Sequence, residues 1–120
     1  MKILLVEDEL LIQKSLKMLL ERQGAEVTTE TLGKKAIEQI HNNHFDRIIC
    51  DLMLGDISGF DVIEEAKQRY SIQDIGNKFI IITAYSSAHV LQKASTYGCP
   101  VLSKPFENIN DAIKIFINKE

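Results

Sequence analysis

The stretch Phe79-Ile80-Ile81-Ile82-Thr83 decides the fold. Its four consecutive large apolar residues are too few for a helix, and they lack the polar alternation of a strand with one wet face. Such a run is a strand buried on both sides, which calls for a parallel sheet with helices above and below. Immediately upstream, Gln73 to Asn77 reads as a polar loop leading into the strand. Further back, Ser58 with Asp61 three residues on can cap a helix carrying Phe60, Ile63 and Ala66 on its apolar side. Downstream, Ser86 or Ser87 starts a helix with Val90, Leu91, Ala94 and Tyr97 on one face, and Gly98 stops it. Val101-Leu102 is a short strand. A last helix runs from about Asn108, with Ile109, Ala112, Ile113, Phe116 and Ile117 at helical spacing.

The same alternation extends to the N-terminus. Arg47 to Cys50 is apolar and β-branched, preceded by a helix marked by Ala36, Ile37 and Ile40 that ends near Asn42-Asn43. Glu26 to Glu30 is a more polar strand and belongs at an edge. From Glu9 to Gln23, Ile12, Leu16, Leu19 and Leu20 recur at helical spacing, with Gly24 as a C-cap, and Lys2 to Val6 forms a first buried strand. The order βαβαβαβαβα implies right-handed crossovers in a parallel sheet. Five strands favour a flavodoxin-like doubly wound α/β sheet of order 2-1-3-4-5 over a barrel, which needs about eight.

A chain of 120 residues is expected to form a single domain, 1–120. A net charge of −3 argues against direct nucleic-acid binding, which needs clustered Lys and Arg. No apolar run approaches the roughly 20 residues of a membrane span, and the apolar start Met1 to Val6 turns acidic too soon for a signal peptide. Cys50 and Cys99 read as reduced thiols, and His41, His44 and His89 form no zinc-like cluster. A cytoplasmic location is the expectation.

In open α/β sheets ligands bind beyond the carboxyl ends of the strands, where the strand order reverses. The first strand ends in Glu7-Asp8-Glu9, the third in Asp51, the fourth in Thr83 and the fifth in Ser103-Lys104, whereas the second ends in Glu30-Thr31 away from that point. Singly, each residue is an ordinary helix cap or a place where the chain reaches water. Jointly, three carboxylates, a hydroxyl and a lysine make a chemically coherent set. Crowded carboxylates repel unless a cation joins them, and hard oxygen donors with room for water suit Mg²⁺. A divalent ion beside a lysine and a hydroxyl can stabilise phosphoryl oxygens. Asp51, in the middle, is then the candidate nucleophile, accepting a phosphoryl group as an acyl phosphate. Nothing in the chain would hold ATP, so the donor is another phosphorylated molecule.

The motifs Lys2-Ile-Leu-Leu-Val-Glu-Asp-Glu9, Cys50-Asp-Leu-Met-Leu-Gly-Asp-Ile-Ser-Gly59, Ile82-Thr-Ala84 and Leu102-Ser-Lys-Pro-Phe106 resemble the receiver domain of two-component response regulators, the CheY-like family. The resemblance covers the whole chain. It implies that Asp51 is the phosphoacceptor, that Asp8 holds Mg²⁺ directly and Glu7 through water, and that the Met53 backbone carbonyl is a further ligand. It also implies that Thr83 is the switch hydroxyl, that Lys104 pairs with Asp51 or its phosphoryl group, and that Ala84 is small to admit that group. A cis peptide is implied between Lys104 and Pro105, and Gly59 matches the glycine opening the third helix.

Three departures from the family pattern involve four positions. Val101 stands where the family usually has the Tyr or Phe that reports phosphorylation, and Gly55 replaces a common proline, which should loosen the loop after Asp51. Met53 and Tyr85 occupy the positions that tune attack of water on the acyl phosphate. Neither activates water, so slow hydrolysis is expected.

The implied partners are a sensor histidine kinase or histidine phosphotransfer protein and a downstream protein. The latter would meet the surface of the fourth helix, fifth strand and last helix, where Ile115 and His89 lie off the apolar stripes. The chain would thus be no enzyme beyond Mg²⁺-dependent self-phosphorylation and self-dephosphorylation. Its length leaves no room for an output domain, whether it stands alone or belongs to a longer regulator or hybrid kinase. Val101 keeps open a phosphorylation-independent interaction module on the same fold. A flavin or nucleotide binder fits poorly, because no loop offers a run of phosphate donors. A haloacid-dehalogenase-like phosphatase would carry its aspartate on the first strand.

Overall fold

A computed structural model of the chain describes residues 1–118. The elements run β1 (Lys2–Val6), α1 (Leu10–Arg22), β2 (Glu26–Glu30), α2 (Gly33–Asn42), β3 (Arg47–Asp51), α3 (Gly59–Ala66), α4 (Ile72–Lys78), β4 (Phe79–Thr83), α5 (Ala88–Tyr97), β5 (Val101–Ser103) and α6 (Ile109–Ile117). The five strands form one parallel sheet of order β2-β1-β3-β4-β5. β2, the most polar strand, is at an edge and only partly buried.

Both faces of the sheet are covered, so the central strands read as unbroken apolar runs. Ile3, Leu5, Ile49, Ile80 and Ile82 point to one side and pack against Leu16 and Leu20 of α1 and Ala112, Ile113 and Phe116 of α6. The intervening Leu4, Val6, Ile48, Cys50, Phe79 and Ile81 point to the other side, under α2, α3, α4 and α5. Strand alternation sorts one sequence run into two cores.

The start signal at Ser58 works in both directions. Its Oγ accepts from Phe60 N at 3.1 Å while the Asp61 carboxylate accepts from Ser58 N at 3.0 Å. Ser87, not Ser86, caps α5, and Gly98 ends it at φ +71°.

Two expectations needed correction. Residues 73–77 are not a loop but the body of the short helix α4, capped by Ser71 Oγ accepting from Asp74 N at 3.1 Å. Ile75 is its one buried apolar side chain, so a helix of this length shows no periodicity to read. The helix expected to be fourth is therefore α5. On it Leu91 faces solvent, while Ala94 and Tyr97 are buried.

Candidate functional site

The strand register delivers the polar residues together. Val6 pairs with Cys50, Asp51 with Ile82 and Thr83 with Ser103, so Glu7, Asp51, Thr83 and Lys104 fall within one step of a common edge. Hydrogen bonds continue just past the strand ends: Glu7 N to Glu30 O at 3.1 Å, Leu52 N to Ile82 O at 3.2 Å and Lys104 N to Thr83 O at 2.8 Å. Each site residue therefore has its backbone held by the neighbouring strand before its side chain makes any contact.

Lys104 is the centre of the cluster. Its ammonium donates to Glu7 Oε1 and Asp51 Oδ2, both at 2.8 Å, and to Glu9 Oε1 at 3.3 Å. The lysine, Glu7 and Asp51 side chains are 5%, 0% and 2% exposed, whereas that of Glu9 is 61% exposed. The first two pairs are thus buried ion pairs whose members depend on each other, and the third is screened by water and adds little. The second Asp51 oxygen, Oδ1, accepts from Met53 N at 3.0 Å. A Cβ on Gly59 would lie 2.5 Å from the Asp51 carbonyl oxygen, so only glycine lets α3 start this close to β3.

Glu7 is fixed from several sides. Its Oε2 accepts from Glu9 N at 3.1 Å, and its carbonyl accepts from the buried Gln13 side chain at 3.0 Å, which also donates to Glu30 O at 3.2 Å. Burial pushes the Glu7 carboxyl up to about 7, against the opposing pull of the Lys104 and Glu9 N–H bonds. Burial alone would lower Lys104, but its bonds to Asp51 and Glu7 outweigh it and hold the ammonium above its ordinary range. The lysine is therefore charged at neutral pH, and the two buried acids exceed it by one negative charge when both are ionised.

Asp8 is exposed beside them, and carboxylate oxygens of Glu7, Asp8 and Asp51 lie within 4.8 Å of one another. Oxygens sharing one Mg²⁺ stand roughly 3–4 Å apart, given bonds of about 2 Å. The donor set therefore fits a small hard cation with minor adjustment and an open side for water.

The remaining expected residues surround this cluster. Thr83 is fully buried, and its hydroxyl accepts from Tyr85 N at 3.0 Å and donates to Tyr85 O at 3.5 Å. Ala84, Tyr85 and Met53 are exposed at the rim. Met53, Tyr85, Thr83, Phe60 and Val90 line an open groove of about 520 Å³ alongside the site. Tyr85 stands beside the opening and does not seal it, being 66% exposed. Val101 is half-buried at the start of β5, away from the carboxylates, and the Lys104–Pro105 peptide is cis.

Sequence reasoning missed Glu9 as a Lys104 partner and Gln13 as the brace behind Glu7. Gln13 had a signal: it precedes Leu16 and Leu20 at helical spacing, a polar residue on an apolar stripe.

A doubly wound parallel sheet with two buried acids and a lysine at its switch point places the chain among the flavodoxin-like α/β domains that carry an acidic cluster at their strand ends. Within that class the family is definite. Residues 3–115 match the response regulator receiver domain, and the chain belongs to that family. It is 33% identical over 107 residues to the response regulator ArlR of Staphylococcus saprophyticus, covering 88% of this chain and 46% of ArlR. The chain thus spans under half the length of that relative. A CheY-like response regulator receiver domain from Methanospirillum hungatei superposes with a TM-score of 0.84 at 29% identity, over 95% of this chain and 88% of that one. The receiver domain of sensor histidine kinase PA1611 from Pseudomonas aeruginosa, with a magnesium ion coordinated in its active-site cleft, superposes with a TM-score of 0.78 at 24% identity, over 97% and 96%. Among the described residues, no helix is long and apolar enough to cross a membrane.

Proposed function

We propose that the domain accepts a phosphoryl group on Asp51 from a histidine kinase or histidine phosphotransfer protein, and that the modified state changes binding to a downstream protein. The observation that carries this reading is the buried Lys104 ammonium shared by Glu7 and Asp51 at 2.8 Å each. In the reaction an Asp51 carboxylate oxygen bonds to phosphorus as the bond from phosphorus to the donor's imidazole nitrogen breaks, and the electron pair leaves with the imidazole. Lys104 is placed to follow the charge from the carboxylate onto the phosphoryl oxygens. Thr83 would donate to the same oxygens once its hydroxyl leaves the Tyr85 backbone.

Glu7, Asp8, Asp51 and the Met53 carbonyl would hold Mg²⁺, which would supply the positive charge that brings a phosphorylated donor to an acidic mouth. The carboxylate cluster supports this, and the PA1611 receiver offers a precedent on the same fold. The downstream surface would be α5–β5–α6, where His89 and Ile115 are exposed. The activity is that of a cytoplasmic switch, with no turnover beyond its own phosphorylation and dephosphorylation.

Phosphoramidate or acetyl phosphate with Mg²⁺ should add one phosphoryl group, visible by intact mass and absent from Asp51→Asn. No mass shift in the unsubstituted protein overturns the reading. The half-buried Val101 favours one second reading, a partner surface indifferent to phosphorylation. Partner affinity that is equal before and after a demonstrated mass shift would select it.

A further inference from the structure

α2 begins without a cap of its own. Its N-cap residue is Leu32, whose side chain has no acceptor for the free N–H groups of the first turn. Those groups bond instead to a carboxylate far along the chain: Gly33 N donates to Asp56 Oδ1 at 2.8 Å and Lys34 N to Asp56 Oδ2 at 2.9 Å. Asp56 belongs to the loop between β3 and α3, residues 52–58, which leaves the site at Asp51. The adjoining Ile57 packs so closely on α2 that a Cβ on Gly33 would lie 2.4 Å from its Cγ1. An anionic side chain at a helix N-terminus is favoured by the helix dipole as well as by the two bonds.

The site end of this loop has its own contacts. Met53 N donates to Asp51 Oδ1 at 3.0 Å, Met53 bridges to Ser58, and Gly59 N donates to Leu52 O at 3.1 Å. Between Met53 and Asp56 comes Gly55, with nothing but itself and its two chain neighbours within 4 Å of where its Cβ would be. The looseness expected of Gly55 is thus bounded on both sides, by Asp51 at one end and by α2 at the other.

We propose that Asp56 is a positioning residue for the Asp51 site. By clamping the loop to the first turn of α2, it keeps the Met53 backbone, its N–H and its carbonyl, in register with the Asp51 carboxylate. The Mg²⁺ part of this inference rests on the function proposed above; the Met53 N–H part does not.

The test compares Asp56→Ala with Ser71→Ala, which removes the cap of α4 away from the site, in the full chain. Amide hydrogen exchange followed by NMR reads Gly33, Lys34 and Met53 without metal, and calorimetric titration reads Mg²⁺ affinity. Asp56→Ala should speed exchange at Gly33 and Lys34, speed Met53 by about tenfold and weaken Mg²⁺ binding by several-fold, as expected for one loosened hydrogen bond to a charged group. Ser71→Ala should leave Met53 exchange and Mg²⁺ affinity unchanged. Asp56→Asn, which retains one acceptor, should be intermediate, and it carries the test if the alanine variant does not fold.

Faster exchange at Gly33 and Lys34 alone, with Met53 as in the unsubstituted protein, overturns the proposal and reduces Asp56 to a cap. If the unsubstituted protein binds no Mg²⁺, the proposed function fails at that step, and Met53 exchange still decides the role of Asp56.

Discussion

Replacing Lys104 by methionine keeps most of the stem of the side chain and removes only the ammonium that sits 2.8 Å from both Glu7 and Asp51. Because those carboxylates are 0% and 2% exposed, water cannot replace the lost charge. Removing one partner of a buried ion pair costs about 3–5 kcal/mol, a large part of the stability of a small domain. Proton uptake limits the loss. Glu7 already has its carboxyl raised to about 7 with the lysine present, and without the ammonium it rises further.

The sign of the pH effect follows. A raised acid binds more protons folded than unfolded, so stability increases as pH falls through the folded pKa. The gain stops near the ordinary value of 4.5, where the unfolded chain protonates as well. Within that window each pH unit contributes up to about 1.4 kcal/mol per proton.

Urea titrations followed by circular dichroism should therefore give Lys104→Met a larger deficit near about pH 8.5 than near about pH 6, because above about 7 only the variant has Glu7 taking up its proton. Millimolar Mg²⁺ should narrow the deficit at the higher pH, because a divalent ion can neutralise the same carboxylates. A deficit below about 1 kcal/mol at the higher pH, or one that does not change with pH, would refute the reasoning. It would mean that Lys104 does not compensate buried charge.

Gly59→Ala would push a Cβ to 2.5 Å from the Asp51 carbonyl and 3.0 Å from Leu52 Cα, rigid backbone on both counts, and should cost about 1–3 kcal/mol. Gly55→Ala, with open space around it and no positive φ, should be neutral or gain about 0.4–1 kcal/mol; equal effects in the same titrations would show that the close approach does not matter. The acyl phosphate should hydrolyse slowly, since Met53 and Tyr85 at the rim are poor activators of water. Loss of the added mass within seconds, with no phosphatase present, would contradict this. Burial raises both thiols, Cys99 to about 11 and Cys50 well beyond its ordinary range, so neither should react with a thiol reagent in the native protein at neutral pH. Rapid labelling before unfolding would mean that the core under α2, α3, α4 and α5, which holds both thiols, opens.

How much could be read in the sequence depended on whether an interaction was local or shared by many residues. The strands were legible because burial on both faces leaves an unbroken apolar run, as in Phe79–Thr83, too short to be a helix of its own. The carboxylate–lysine cluster was legible because a parallel sheet brings all its strand ends to one edge, so knowing where four strands stop places Glu7, Asp51, Thr83 and Lys104 together.

What escaped was one short helix and contacts whose partner could not be named from the strand ends. α4 buries a single isoleucine and has no periodicity, although Ser71 and Asp74 carried a capping signal. Asp56 looks like a loop residue until α2 is found to start without a cap, and neither fact is informative alone. The same division separates the chemistry from its control. Residues that would meet the phosphoryl group sit at the strand ends. Those that hold them there, Gln13 behind Glu7 and Asp56 behind Met53, act from helices and loops that sequence position alone does not bring near the site. A receiver with these strand-end residues but a different brace should keep the reaction and change its rate.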